Sequence, residues 1–185
     1  MKEFLSVNLP PTPNREPLPG ARLNAEDFAT IVRLTPLVAM DLIVRAADQR
    51  VLLGRRKNAP AKGCLFVPGG RISKNETLAM AFVRITRTEL GVERSLSEAR
   101  LLGAYDHLYP DNVFGEPGYG THYVTLAWEL VLNSPEVRLP LDQHDSYLWL
   151  SEIEILARPD VHPNTKAYFN AQSSRETSTP NRPQS

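Results

Sequence analysis

The 185-residue chain carries 21 basic and 21 acidic residues. It therefore has no net charge to draw it to nucleic acid or to an acidic membrane surface. Its length suits one domain with a full hydrophobic core, and no stretch reaches the roughly 18 apolar residues that a membrane span needs. The N-terminal "MKEFLSVNLPPTPNREPLPG" lacks an apolar run of signal-peptide length. The single cysteine, Cys64, excludes an internal disulfide, and a reducing cytoplasm is the expected setting.

Five prolines between Pro10 and Pro19 predict an extended N-terminal tail over residues 1–22. The folded domain is expected over residues 23–171. A polar, proline-containing C-terminal tail, 172–185, is expected to be disordered. Within the domain, "NAEDFATIVRLTP" predicts a short helix capped by Asn24, with Asp27 three residues on and Pro36 as its stop. "LVAMDLIV" is an apolar run of strand length, Leu37 to Val44, interrupted by Asp41. "RVLLGRR" predicts a second strand, and "CLFVPGG" a third that ends at Pro68. A helix over Thr77 to Leu90 lines up Leu78, Phe82, Ile85 and Leu90, and Gly91 stops it.

"LLGAYDHLY" and "THYVTLAWELVL" predict two more strands joined by "PDNVFGEPGYG". In the second strand His122, Val124, Leu126, Trp128 and Leu130 share one face, and Tyr123, Thr125 and Glu129 the other. "SYLWL" is a last short strand, followed by two short helical stretches. Trp128 and Trp149 are expected in the core. Strands mixed with helices predict a layered α/β fold.

Chemistry is concentrated in "PGGRISKNETLAMAFVRITRTELGV", Pro68 to Val92. Glycines at 69 and 70 let the backbone approach a ligand closely. The Gly69 carbonyl and the Glu89 carboxylate are oxygen donors suited to a hard cation such as Mg²⁺. Glu76 and Arg84, eight residues apart, lie within about 80° of each other around a helix and are expected to form a structural pair. Taken singly, each residue would read as an ordinary turn or a solvated helix face. Cys64 has no activating neighbours in sequence and is expected to be a small buried residue. Asp41 in an apolar strand is costly unless it is partnered.

The spacing Gly70, five residues, Glu76, seven residues, Arg84 resembles the start of the Nudix box. That box continues with Arg-Glu, two residues, then Glu-Glu. Here Ile85 follows Arg84, and Thr88 precedes Glu89. With "LLGRRKNAPAKGCLFVPGGRI", "THYVTL", "DQHDSYLWL" and "VHPNTKAYF", the domain from Asn24 to Phe169 resembles the GDP-mannose mannosyl hydrolases, a divergent Nudix branch with the same shortened box. The resemblance implies a Nudix fold, with a mixed sheet sandwiched between helices in a single domain. It also implies a homodimer and one Mg²⁺ per active site, held by the Gly69 carbonyl, Glu89 and Gln143.

The resemblance further implies that His144 is the general base, that Arg56 and Arg71 contact the leaving nucleoside diphosphate, and that Asp41 assists as an active-site aspartate. Arginine suits the leaving group because each guanidinium donates paired hydrogen bonds to phosphate oxygens. Imidazole suits proton abstraction because its ordinary pKa of about 6.5 lies near working pH. Tyr123 projects opposite the apolar face of its strand, where its hydroxyl can reach a phosphate. His107 is a further candidate for substrate contact, with a satisfied strand histidine as the competing account.

The expected reaction is hydrolysis of GDP-mannose, with GDP-glucose as a second substrate, by water attack at sugar C1. Cleavage at phosphorus and non-catalytic sensing of a nucleotide sugar are the alternatives.

Overall fold

The computed structural model describes residues 23–57, 61–132, 139–140 and 144–176, of which His144, Asp145 and residues 171–176 are described by their backbone alone. Both expected tails, apart from the backbone of residues 172–176, and the proposed ligand Gln143 lie outside the described residues.

Helix α1, Ala25–Leu34, begins where Asn24 accepts a hydrogen bond from the Asp27 N–H at 2.8 Å. It ends before Thr35, which is extended at φ −140° and ψ 151°, because the residue before a proline is pushed out of helical geometry. Strand β1, Leu37–Arg45, is buried on both faces apart from Val38 and the half-buried Asp41. It pairs in parallel with β6, Thr121–Val131, over nine residue pairs from Leu37–Tyr123 to Arg45–Val131. A tight turn leads to β2, Val51–Arg56.

The expected third strand is two strands. β3, Leu65–Phe66, pairs with β2, whereas β4, Gly69–Arg71, pairs with β1. Pro68 separates them: it has no N–H to donate to a ladder, and its carbonyl accepts from the Leu42 N–H at 2.8 Å. Helix α2, Leu78–Leu90, is capped by Thr77 and closed by Gly91 at φ 70°. Strand β5, Ala99–Tyr109, forms the far edge against β6. Buried Asn112 ties the connecting loop, donating to the carbonyls of Glu116 and Tyr119 and accepting from the N–H groups of Phe114 and Glu116. Strand β7, His144–Leu150, pairs with β2. Helices α3, Glu152–Ala157, and α4, Pro163–Glu176, follow.

The result is a seven-stranded mixed sheet between helices. One face packs Met40, Leu42, Val44, Trp128 and Leu130 against Phe82, Ile85 and Leu90 of α2. The other packs Ile43, Leu53 and Leu65 against Ile155 of α3 and Tyr168 and Phe169 of α4. Leu78, expected on the core side of α2, is 43% exposed; it is the first residue of the helix, whose first three residues are all exposed before Ala81 enters the core. Trp128 is buried and Trp149 packs half-buried against the same cluster, while Cys64 is half-buried rather than buried. No described helix is long and apolar enough to cross a membrane.

The expected Glu76–Arg84 pair is present and reaches further than the sequence suggests. The Glu76 carboxylate, 4% exposed, accepts from Arg84 Nε and Nη2 and from the Ser73 N–H. Arg84 Nη2 also donates to the Arg71 carbonyl at 2.8 Å. The pair thus brackets the loop between β4 and α2. Gly70 completes the junction, since a Cβ there would stand 3.3 Å from Ile85 Cγ1. Glu76→Gln is expected to lower stability by about 1–3 kcal/mol, because it leaves the guanidinium and the Ser73 N–H poorly satisfied. Urea unfolding checks this, and an unchanged midpoint would contradict the bracket.

Candidate active site

β1 and β2 pair as a ladder only at Arg45–Val51. Beyond that pair they part: β1 takes β4 as its neighbour, and β2 takes β3 and β7. Asp41 lies on the β1 prong of this fork, opposite Gly69. Arg56 ends the β2 prong, opposite the backbone of His144. The side chains converge electrostatically. Arg56 and Glu89 both act on the Asp41 carboxyl, and Arg71, Arg56 and Asp41 all act on the hydroxyl of the half-buried Tyr123.

Gly69 is required by close approach. A Cβ there would stand 2.6 Å from the Met40 carbonyl and closer still to Asp41 Oδ1. Asp41 is half-buried as a residue, but its carboxyl is closed in. Burial raises its pKa to about 6, against the lowering effects of the Tyr168 hydrogen bond and Arg56, and the charge of Glu89 raises it further. Glu89 is itself buried at 4% exposure near the end of α2.

Tyr168 was not singled out by the sequence. It is fully buried, and its hydroxyl donates to Asp41 Oδ2 at 2.6 Å. His107 Nε2 lies 3.1 Å from the same hydroxyl, and His107 Nδ1 lies 3.3 Å from Thr125 Oγ1. His107 is 4% exposed with a protein partner at each nitrogen. It sits behind Asp41, and this arrangement favours a satisfied strand histidine over a substrate contact. A hydroxyl on a core-facing aromatic needs a buried partner, which is the signal by which Tyr168 could have been found.

The arginines have aromatic supports. Arg56 lies 5.2 Å from the Phe66 ring centre, and Arg71 4.0 Å above that of Phe28, arrangements that steady a guanidinium without neutralising it. His162, also not singled out, stacks on Phe66 at 4.4 Å and accepts the Asn164 N–H at Nδ1. Burial and the nearby Arg56 hold its pKa below the usual histidine range. Burial pushes the Tyr109 phenol up to about 12, so Tyr109 is a neutral hydroxyl here. Two surface hollows flank α1, and apart from Tyr109 they contain none of these residues. The gathering of charge at the fork marks the site, not the depth of a cavity.

For a cation, the described donors are hard oxygens: the Gly69 carbonyl and the neighbouring carboxylates of Glu89 and Asp41. Such a set suits Mg²⁺, whose charge would offset the repulsion between the two acids. No cage of three or more His, Cys, Asp or Glu side chains forms among the described residues.

The NUDIX domain model matches residues 35–172. The chain belongs to the Nudix family. It is 36% identical, over 85% of its length and 96% of the relative's, to the low-salt glycan biosynthesis protein Agl8 of Haloferax volcanii. A shorter match, 42% identical over 72 residues and 41% of the relative, is to an ADP-ribose pyrophosphatase of Methanocaldococcus jannaschii. Among solved structures, a MutT Nudix hydrolase from Burkholderia pseudomallei aligns with TM-score 0.59 and 28% identity, over 74% of this chain and 97% of that one. Membership supports an enzyme that hydrolyses nucleoside diphosphate derivatives.

The charge balance at this Nudix fork predicts a pH signature. The Asp41 pKa is raised above its ordinary 3.8, so the native state holds that proton more tightly than the unfolded chain does. Stability from this group is therefore full at low pH and falls as pH rises from about 4 to about 6. In metal-free protein, Asp41→Asn should be more stable than wild type at pH 8 by roughly 1–3 kcal/mol. The difference should vanish below about pH 4. Urea midpoints at the two pH values test it, and a variant less stable than wild type at pH 8 contradicts the assignment.

Proposed function

We propose that this Nudix protein hydrolyses a nucleoside diphosphate sugar, GDP-mannose foremost and GDP-glucose second, by water attack at C1 of the sugar. GDP and the inverted free sugar are released. The observation that carries this reading is the composition of the fork. Two aromatic-supported arginines face few carboxylates, and the acid positions of the usual box hold Ile85, in the core, and Thr88, on the surface.

Attack at phosphorus brings an oxygen nucleophile to an anionic centre and calls for strong charge neutralisation, often by several metals. Attack at C1 passes through an oxocarbenium-like state, and negative charge gathers on the departing diphosphate. Arginines aimed at that diphosphate meet the need directly. The 36% identity to a glycan biosynthesis protein also supports a sugar-linked substrate.

In this reading Arg56 and Arg71 hold the diphosphate, and Tyr123 donates its neutral hydroxyl to a phosphate oxygen. Asp41 orients sugar hydroxyls or the water. His144, on the strand opposite Arg56, takes the proton from the attacking water. A Mg²⁺ held by Gly69, Glu89 and Gln143 would supply charge stabilisation to the leaving diphosphate. A homodimer in a cytoplasmic setting completes the proposal.

A second reading, cleavage at phosphorus, is favoured by the 72-residue match to an ADP-ribose pyrophosphatase. Incubation with GDP-mannose and Mg²⁺ in ¹⁸O-water separates the two. Label is expected in mannose, with unlabelled GDP. Label in GMP or mannose 1-phosphate would establish the second reading, and no product would leave a sensor.

Two variants divide the roles. Glu89→Gln should weaken Mg²⁺ binding, measured by calorimetry, and slow turnover. His144→Gln should slow turnover by a factor on the order of 10²–10⁴ with Mg²⁺ affinity unchanged. The reverse pattern would exchange the two assignments.

A further inference from the structure

Asp41, Tyr168, His107 and Thr125 form an unbroken row of polar contacts through the core. The last three are at most 4% exposed. The separations are 2.6, 3.1 and 3.3 Å, and the row joins four elements, β1, α4, β5 and β6. Proton counting fixes its direction. An ionised carboxylate only accepts, so the single hydroxyl proton of Tyr168 goes to Asp41. The Tyr168 oxygen is then left as an acceptor, and His107 must offer it Nε2–H. A neutral imidazole with its proton on Nε2 accepts at Nδ1, which turns the Thr125 hydroxyl proton towards it.

We propose that Tyr168 is a positioning residue for Asp41, at the head of a one-way chain from Thr125 through His107 and Tyr168 to the carboxylate. The charge on Asp41 selects the Nε2–H tautomer of His107 through this chain. Burial, with a neighbouring His162, lowers the His107 pKa to about 4, and a neutral ring is what the chain requires.

The chain has a use at the fork. It occupies Oδ2 of Asp41 and fixes the carboxyl plane, so that Oδ1 lies against Gly69. Rotation of the carboxyl would break the bond to Tyr168. This deepens the proposed function in one respect, since it takes Asp41 to act at the reacting end, but the tautomer does not depend on any substrate.

The first experiment therefore uses no substrate. Long-range ¹H–¹⁵N correlation spectra at pH 7.5 read the His107 ring in wild type, Asp41→Ala and Tyr168→Phe. Wild type should show a proton on Nε2 and a bare Nδ1. In Asp41→Ala the tyrosine loses its carboxylate acceptor and turns its proton to His107, so the ring should invert to Nδ1–H, donating to Thr125. An Nδ1–H ring in wild type, or the same tautomer in both proteins, overturns the chain.

Tyr168→Phe keeps the buried ring and removes only the hydroxyl. It should release Nε2–H to faster exchange while the rest of the amide spectrum stays native; unchanged exchange also counts against the chain. The second experiment measures GDP-mannose turnover. Tyr168→Phe should lower kcat by about 10- to 100-fold with little change in KM, whereas Tyr168→Leu should lose native spectra as well. An unchanged kcat in Tyr168→Phe overturns the positioning role. If wild type does not turn over GDP-mannose, the proposed function fails, and the spectra still decide the chain.

Discussion

A carboxylate in the middle of a strand buried on both faces is the constraint around which this molecule is arranged. Leaving such a group unsatisfied costs several kcal/mol, and water reaches Asp41 only partly. The neighbouring strand must therefore offer no side chain at that level, which is why glycine stands at 69. The helix on the opposite layer must deliver a hydroxyl, which fixes the depth and rotation of α4 through Tyr168. The parallel strand β6 and the edge strand β5 then contribute Thr125 and His107. Four elements, β4, α4, β5 and β6, thus bear on one side chain, directly or through Tyr168.

The fork turns this local demand into a site. While β1 and β2 run as a hairpin they leave no room between them. Their separation after Arg45–Val51 admits β4 on one prong and β7 on the other, and brings Arg56 and His144 to the same end as Asp41 and Gly69. The arginines are steadied by Phe66 and Phe28, and neither forms a salt bridge with an acid among the described residues. Positive charge kept in place but not cancelled is what an anionic leaving group needs. The bracket of Glu76 and Arg84 holds the loop between β4 and α2 from the other side.

Much of the fold could be read from the chain because local signals agreed with the final packing. Asn24 and Gly91 cap their helices as their residue types imply, and the apolar run of β1 identifies a strand covered on both faces. The split of "CLFVPGG" into two strands was harder to read. It depends on β4 leaving β2 for β1, and strand partners are not written in the run itself. At the site, Glu76 and Arg84 were legible from their spacing, and Gly69 as a point of close backbone approach, although it lies in β4 and not in the expected turn. Tyr168 and His162 were not: Tyr168 sits in a stretch read only as a short helix and His162 just before it, and only a tertiary partner distinguishes a hydroxyl that works from one that fills space. His107 was legible as polar in a strand, but its depth behind Asp41 was not.

Ile85 makes the altered box hard to exchange for the usual one. The side chain at this position is 1% exposed, lies against Gly70 and belongs to the cluster that holds Phe82, Trp128 and Leu130. An acid placed there would be stripped of water among hydrocarbon, at a cost of several kcal/mol unless a cation met it. A single substitution to the usual box would thus unsettle the layer between α2 and the sheet before it added anything at the fork. Packing here guards the altered box: at this place the acid is the deleterious letter, and it could be accommodated only with changes in several neighbours.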